Sequence, residues 1–315
     1  MFVHNATVGL FGLGAPRLAS ASAGEPRTDT AATHRKEDTV TTWLITGCSS
    51  GLGRAFARAV LGRGHNVVAT ARSAEGVQDL AGADPDRVLA LELDVTEQAQ
   101  ITETVRAAEA RFGSIDVLIN NAGYGYRAAV EEGDPDDVAR LFATNFFGPV
   151  SIIQAVLPGM RARRQGTIVN VSSIAARTSP PGSGYYAASK AALEAMTASL
   201  RTELEPLGIT AMIVEPGAFR TDFSGRSLTQ SDTVIDDYAD TAGARRKERD
   251  TTHGTQPGDP DKAAEALISA VESSQPPLML VLGPDALERL RTSLDALTAD
   301  LDAWEQTTTS TSFHP

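Results

Sequence analysis

Beyond residue 40 the chain alternates short apolar runs with longer stretches of helical periodicity, and this alternation narrows the fold more than any other feature. The runs at 42–46, 66–71, 88–93, 116–120, 167–172, 210–215 and 278–282 place Val, Ile and Leu on consecutive positions. Consecutive rather than alternating apolar residues mark strands covered on both faces, as in a parallel sheet. Helical patterns near 51–63, 97–112, 134–163, 185–207 and 261–273 fall between them, and a last one covers about 285–304. Strand–helix alternation favours right-handed crossovers. The pattern predicts an α/β fold, a Rossmann-type doubly wound parallel sheet of about seven strands, in a single domain over residues 41–305.

Three segments depart from this rhythm. Residues 1–40 are expected to form a disordered or artefactual extension. Val8 to Ala15 is apolar, but Gly9, Gly12, Gly14 and Pro16 break it and no Lys or Arg precedes it, unlike a secretory signal. Residues 306–315 are expected to be a disordered polar tail. The stretch 218–258 shows no strong strand and carries the charge cluster Arg245-Arg246-Lys247-Glu248-Arg249. A loop that long in a compact domain is usually functional. It follows the C-terminal end of a strand, where open α/β sheets bind ligands, so it is expected to be a lid.

The net charge of −12 argues against nucleic-acid partners, which select basic surfaces, and against docking on anionic membranes. No stretch approaches the roughly 20 apolar residues that a membrane helix needs. Cys48 is the single cysteine, so no intramolecular disulfide forms, which fits a reducing, cytoplasmic setting.

The first strand runs into Thr46-Gly47-Cys48-Ser49-Ser50-Gly51-Leu52-Gly53, and a helix follows at once. Glycines let backbone approach a pyrophosphate closely, and the helix N-terminus offers it free N–H groups. In this strand–turn–helix setting the turn signals a dinucleotide; a simple tight turn is the bland alternative. NAD sites place a carboxylate at the end of the second strand. Here that strand ends Thr70-Ala71-Arg72-Ser73, with no carboxylate before Glu75. Arg72 can pair with a 2′-phosphate, so NADP(H) is expected over NAD(H), which stays possible. Asp94, at the end of the third strand, is able to accept from an adenine amino group or to cap the next helix. Asn120-Asn121-Ala122-Gly123 forms a small-residue turn after the fourth strand.

Tyr186 and Lys190 stand four apart on one helix, hence on one face, together with Leu193, Leu200 and Leu204. Lys190 therefore falls on the side expected to be buried, with Glu194, Arg201 and Glu205 toward the flanks or solvent. A lysine ammonium and an oxidised nicotinamide both favour the phenolate, so Tyr186 is able to exchange a proton near neutral pH. The alternative is a core tyrosine beside a snorkelling lysine. Asn145 interrupts an apolar helical stripe and needs hydrogen-bond partners, either structural ones or a polar relay to Lys190.

Together these residues resemble the compact, single-domain branch of the short-chain dehydrogenase/reductase family, over about residues 41–283. The resemblance rests on Thr-Gly-x-x-x-Gly-x-Gly at 46–53, Asn-Asn-Ala-Gly at 120–123, Asn145, the Ser172-Ser173 pair, Tyr-x-x-x-Lys at 186–190 and Pro216-Gly217. It implies that Ser173 orients a substrate carbonyl, that Lys190 binds nicotinamide ribose hydroxyls and that Asn145 holds a proton-relay water. It further implies that Asn121 lines the cofactor site, that Asp94 and Val95 form the adenine pocket and that Thr221 contacts the nicotinamide carboxamide, with Ala218 and Phe219 between Gly217 and Thr221. The implied activity is interconversion of a small-molecule carbonyl and alcohol, in a homodimer or homotetramer built through the helices carrying Asn145 and Tyr186. Tyr124, Tyr126, Tyr185 and Phe219 are expected to shape the substrate pocket. Two other classes compete. A non-catalytic redox-sensing regulator on this fold would typically lose Tyr or Lys, and a sugar-nucleotide epimerase would need a larger C-terminal domain.

Overall fold

The computed structural model describes residues 40–247 and 254–313. The expected extension, apart from Val40, and Glu248 and Arg249 of the charge cluster lie outside these residues. Seven strands form one parallel sheet: β1 (Thr42–Ile45), β2 (Asn66–Ala71), β3 (Val88–Glu92), β4 (Val117–Asn120), β6 (Gly166–Val171), β7 (Ile209–Pro216) and β9 (Met279–Leu282). Their order is β3-β2-β1-β4-β6-β7-β9, so the chain winds outward both ways from β1 and β4. The short strands β5 (Gly125–Arg127) and β8 (Leu228–Gln230) pair with each other in a separate parallel ribbon.

The helices are α1 (Gly51–Gly62), α2 (Gln78–Ala83), α3 (Gln98–Phe112), α4 (Pro135–Phe142), α5 (Gly148–Arg163), α6 (Ala175–Thr178), α7 (Gly184–Leu204), α8 (Pro260–Glu272) and α9 (Pro284–Thr309). Successive strand side chains point to opposite faces. In β1, Trp43 and Ile45 join Phe56 and Val60 of α1 and Leu267 and Ile268 of α8 in one core. Leu44 joins Ile101 of α3, Ile152 and Val156 of α5 and Leu200 of α7 in the other. Asp134 and Asp259 cap α4 and α8, each accepting from two backbone N–H groups ahead of a first-turn proline.

Four features differ from the sequence expectations. The helix expected at 134–163 is interrupted by a π-turn at Ala143–Phe147, which carries Asn145. That joined stretch, Pro135–Arg163, also holds an 18-residue window of mean hydropathy 1.4, long and apolar enough to cross a membrane. Ile152, Ile153, Val156 and Met160 pack it into the domain's own core. The 218–258 stretch does hold a strand, β8, together with a bridge between Phe219 and Gly258. It is tied down by buried Glu132, whose carboxylate accepts from Ile235 N at 2.9 Å and pairs with Arg246. The last helix runs on to Thr309 through residues expected to be a disordered tail.

Candidate active site

β1 and β4 lie side by side where the chain order reverses, and open α/β sheets bind ligands at that edge. Gly47, just past β1, has φ +73°, and a Cβ there would stand 3.0 Å from Ala122 Cα. Left-handed backbone alone costs a non-glycine residue about 1–2 kcal/mol. Asn121 pins this turn to the β4 loop, its Nδ2 donating to Thr46 O at 2.8 Å and Gly47 O at 3.2 Å. The turn leads to α1, whose N-cap Ser50 makes no side-chain capping bond. The first-turn N–H groups are thus open to an anion, reinforced by the positive end of the helix dipole. Thr221 closes the far side, its Cβ 3.4 Å from where a Gly51 Cβ would sit. A bare-backbone cradle at a helix N-terminus fits a dinucleotide pyrophosphate.

Around this cradle, Ser49 is exposed and Leu52 packs on the core. Arg72 is exposed at the end of β2, with no hydrogen bond or ion pair among the described residues. Arg54, the other cation nearby, is committed to Asp79 and to Gly76 O at 3.1 Å. Asp94 does not cap α3. Its Oδ1 accepts from Thr96 N at 2.9 Å and Thr96 Oγ1 at 2.7 Å, shaping the turn after β3, and Glu97 is the N-cap. Val95 is buried against Gly148 of α5. Pro216 ends β7, Gly217 N donates to Leu282 O at 2.8 Å, and the Phe219 ring lies against Gly258.

The N-terminal half of α7 brings Tyr186 and Lys190 to the same edge, both buried. Lys190 Nζ donates to Val171 O, the last residue of β6, at 2.8 Å. Two residues on, Ser173 comes near enough to the Tyr186 phenol to favour its ionised form, while its Oγ accepts from Ala175 N at 3.2 Å. Burial pushes the phenol above its ordinary pKa, against the pull of Ser173 and of the Arg127 guanidinium. Lys190, expected to supply that pull, is not among the groups that act on the phenol in the chain alone. Burial instead holds Lys190 down to about 8, partly offset by the Glu194 carboxylate.

Asn145 donates from Nδ2 to Tyr124 O at 2.9 Å and Ser189 Oγ at 3.2 Å, and accepts at Oδ1 from Tyr124 N at 3.1 Å. The expected relay to Lys190 is therefore not a direct contact. Both groups do flank Gly123, where a Cβ would meet Asn145 Oδ1 at 3.0 Å and Lys190 Nζ at 3.3 Å.

Glu194, expected on a flank of α7, is buried. It accepts from Ser172 Oγ at 2.5 Å and pairs with Arg177 at 2.9 Å, and Arg177 also holds buried Glu215 at 3.1 Å. Burial and the Glu215 charge raise its pKa to about 7. Of the aromatic residues expected in the pocket, Tyr126 is a core residue whose hydroxyl accepts from Asp134 N at 3.1 Å. Tyr185 donates to Val130 O at 2.7 Å. The ring actually against Tyr186 is Phe223, with centroids 5.9 Å apart. Phe223 and Arg127 were not singled out from the sequence. A basic residue one place after Tyr126, within an apolar stretch, was the available signal for Arg127.

Residues 41–232 match the family model for short chain dehydrogenases. This chain belongs to the short-chain dehydrogenase/reductase family. Oxidoreductase BOA17 of Botryotinia fuckeliana is 38% identical over 265 residues, 84% of this chain and 96% of that protein. The crystal structure of a short-chain dehydrogenase from Streptomyces avermitilis superposes with a TM-score of 0.82 at 41% identity, covering 87% of this chain and 99% of the other. The closed form of serine dehydrogenase complexed with NADP+ gives 0.67 at 28% identity over 78% and 95% of the two chains. This short-chain dehydrogenase/reductase is accordingly an oxidoreductase of CH–OH and C=O groups that uses a nicotinamide dinucleotide; NADP+-bound and NADH-bound structures both occur among its solved relatives.

Proposed function

We propose that this enzyme interconverts a small-molecule carbonyl and a secondary alcohol with NADP(H), and that Tyr186 moves the proton. The observation that carries the reading is the convergence of Ser173, Tyr186 and Lys190 beside a bare-backbone dinucleotide cradle. The nicotinamide, when bound, gives or takes the hydride. Tyr186 Oη gives its proton to the carbonyl oxygen in reduction and takes it back in oxidation. Ser173 holds that oxygen against the phenol. Lys190, anchored on Val171 O, binds the nicotinamide ribose hydroxyls and keeps a positive charge below pH of about 8. Asn145, in its π-turn, supports the proton path at Gly123. The NADP(H) preference rests on Arg72, which has no competing partner among the described residues, and on the lack of a carboxylate at the end of β2. The same reading takes the protein as cytoplasmic and as a homodimer or homotetramer; exposed Phe147 beside Asn145 supports a partner on that face.

Tyr186→Phe tests the mechanism, because it removes only the hydroxyl. Turnover of a carbonyl panel, followed by NADPH absorbance, is expected to fall by roughly 10²–10⁴-fold, with NADPH affinity kept. Near-native turnover would leave a cofactor-binding regulator as the better reading.

A further inference from the structure

Beside Tyr186 stands a cation that no step above uses. Arg127, the last residue of β5, donates from Nη1 to Ser183 Oγ, and its Nε is buried with no partner. Ser183 is the N-cap of α7, and Tyr186 follows on the same first turn and the same helix face. The guanidinium is therefore within electrostatic reach of the phenol.

Among the described residues, most of the surroundings oppose a positive charge there. The N-terminus of a helix repels cations. Arg127 is half-buried, and desolvation works against its charge. Arg245 also acts on Arg127 as a like charge, though it has an interaction of its own. No carboxylate compensates among the described residues. The next acidic side chains along the chain are engaged elsewhere, Glu131 with the Tyr238 hydroxyl and Glu132 with Arg246. Buried charges are normally paired, so an unpaired guanidinium at the substrate end of a site calls for an anion from outside the chain.

We infer that Arg127 is a specificity residue, and that the substrate carries an oxyanion, a carboxylate or a phosphate ester, close to its reacting carbonyl. A guanidinium presents a planar fork of donors that matches both groups. With Nη1 on Ser183 and Nε buried without a partner, the guanidinium keeps donor capacity that no group among the described residues takes up. This rests on the carbonyl-reductase reading of the site, but its test does not require turnover.

The NADP+-loaded enzyme is titrated by calorimetry with benzoate, phenyl phosphate and neutral benzamide. One of the two anions is expected to bind roughly 10- to 150-fold more tightly than benzamide, the range for a hydrogen bond to a charged group. Which anion wins decides between carboxylate and phosphate. In Arg127→Gln, a side chain of similar reach without the charge, that preference is expected to vanish while NADP+ affinity is kept. In turnover, the kcat/KM ratio of benzoylformate to its ethyl ester is expected to drop in the same variant. Should Arg127→Gln fail to fold, the comparison of anions with benzamide on the native chain still decides. Equal binding of all three probes, no binding of either anion, or a preference that survives Arg127→Gln would each overturn the inference. None of those results touches the role of Tyr186, and loss of the Tyr186 mechanism would leave the anion titration standing.

Discussion

Lys190→Met isolates what this site demands of the fold. The ammonium is buried, and desolvation brings its pKa from 10.5 to about 8. A lysine whose pKa is lowered by folding destabilises the folded state while it is protonated in the unfolded one. The penalty is full below pH of about 8, shrinks as pH rises and is gone above 10.5. From the displacement it amounts to about 3 kcal/mol at pH 7 and about 1 kcal/mol at pH 9.5. Methionine has similar length and no charge, so it removes the penalty. It also removes the bond to Val171 O, worth about 1.5–3 kcal/mol when the donor is charged. The two effects nearly offset at pH 7, so Lys190→Met is expected to be about as stable as the native chain there. At pH 9.5 it is expected to be less stable, the difference between the two proteins having moved by about 2 kcal/mol. Urea unfolding of both proteins at both pH values measures this, because titrations common to the two cancel. A stability difference that stays constant from pH 7 to 9.5 would show that Lys190 is not held away from water as the geometry requires.

Further outcomes follow from other parts of the site. Arg72→Asp is expected to weaken NADPH by roughly 10- to 150-fold and to narrow the gap to NADH; an unchanged affinity ratio in a fluorescence titration counts against Arg72 as the phosphate partner. Glu194→Gln is expected to gain thermal stability over the native chain as pH rises from 5 to 8. The raised carboxylate stabilises the fold only while protonated, and that contribution is lost through pH of about 7. A melting-temperature difference that is flat with pH would rule this out. Gly47→Ala is expected to abolish tight cofactor binding, since φ is +73° and the new Cβ presses on Ala122 backbone; near-native NADPH titration would show that the turn opens freely.

What could be read in advance was what lies close together along the chain. The 46–53 turn and Tyr186 with Lys190 are local patterns, and a strand such as Asn66–Ala71 announces itself by a continuous apolar run. Contacts between distant elements were not legible. Glu194 sits beside the apolar stripe of α7 and was expected near solvent, but its partner Arg177 comes from the one-turn helix α6 after β6. Spacing within α7 carries no trace of that neighbour. Arg127 lies on β5 and Phe223 just ahead of its partner β8, and strands of three residues are too short for periodicity to register. The π-turn escaped for a related reason: one extra residue in a turn leaves the apolar pattern on either side nearly intact.

The pairing of β5 with β8 also sets a timetable. Thr229 Oγ1 donates to Gly125 O across 104 residues, and the Glu132 bonds to Ile235 and Arg246 span similar lengths. Closing so long a loop delays contact formation far more than pairing neighbouring strands does. On a growing chain, β1 to β4 and the Gly47 turn are synthesised well before residue 228 exists. The wall bearing Phe223, and the ribbon that fixes Arg127, assemble only afterwards. The turn at Gly47 is thus laid down long before the ribbon that fixes Arg127, although its supporting core is closed only by α8.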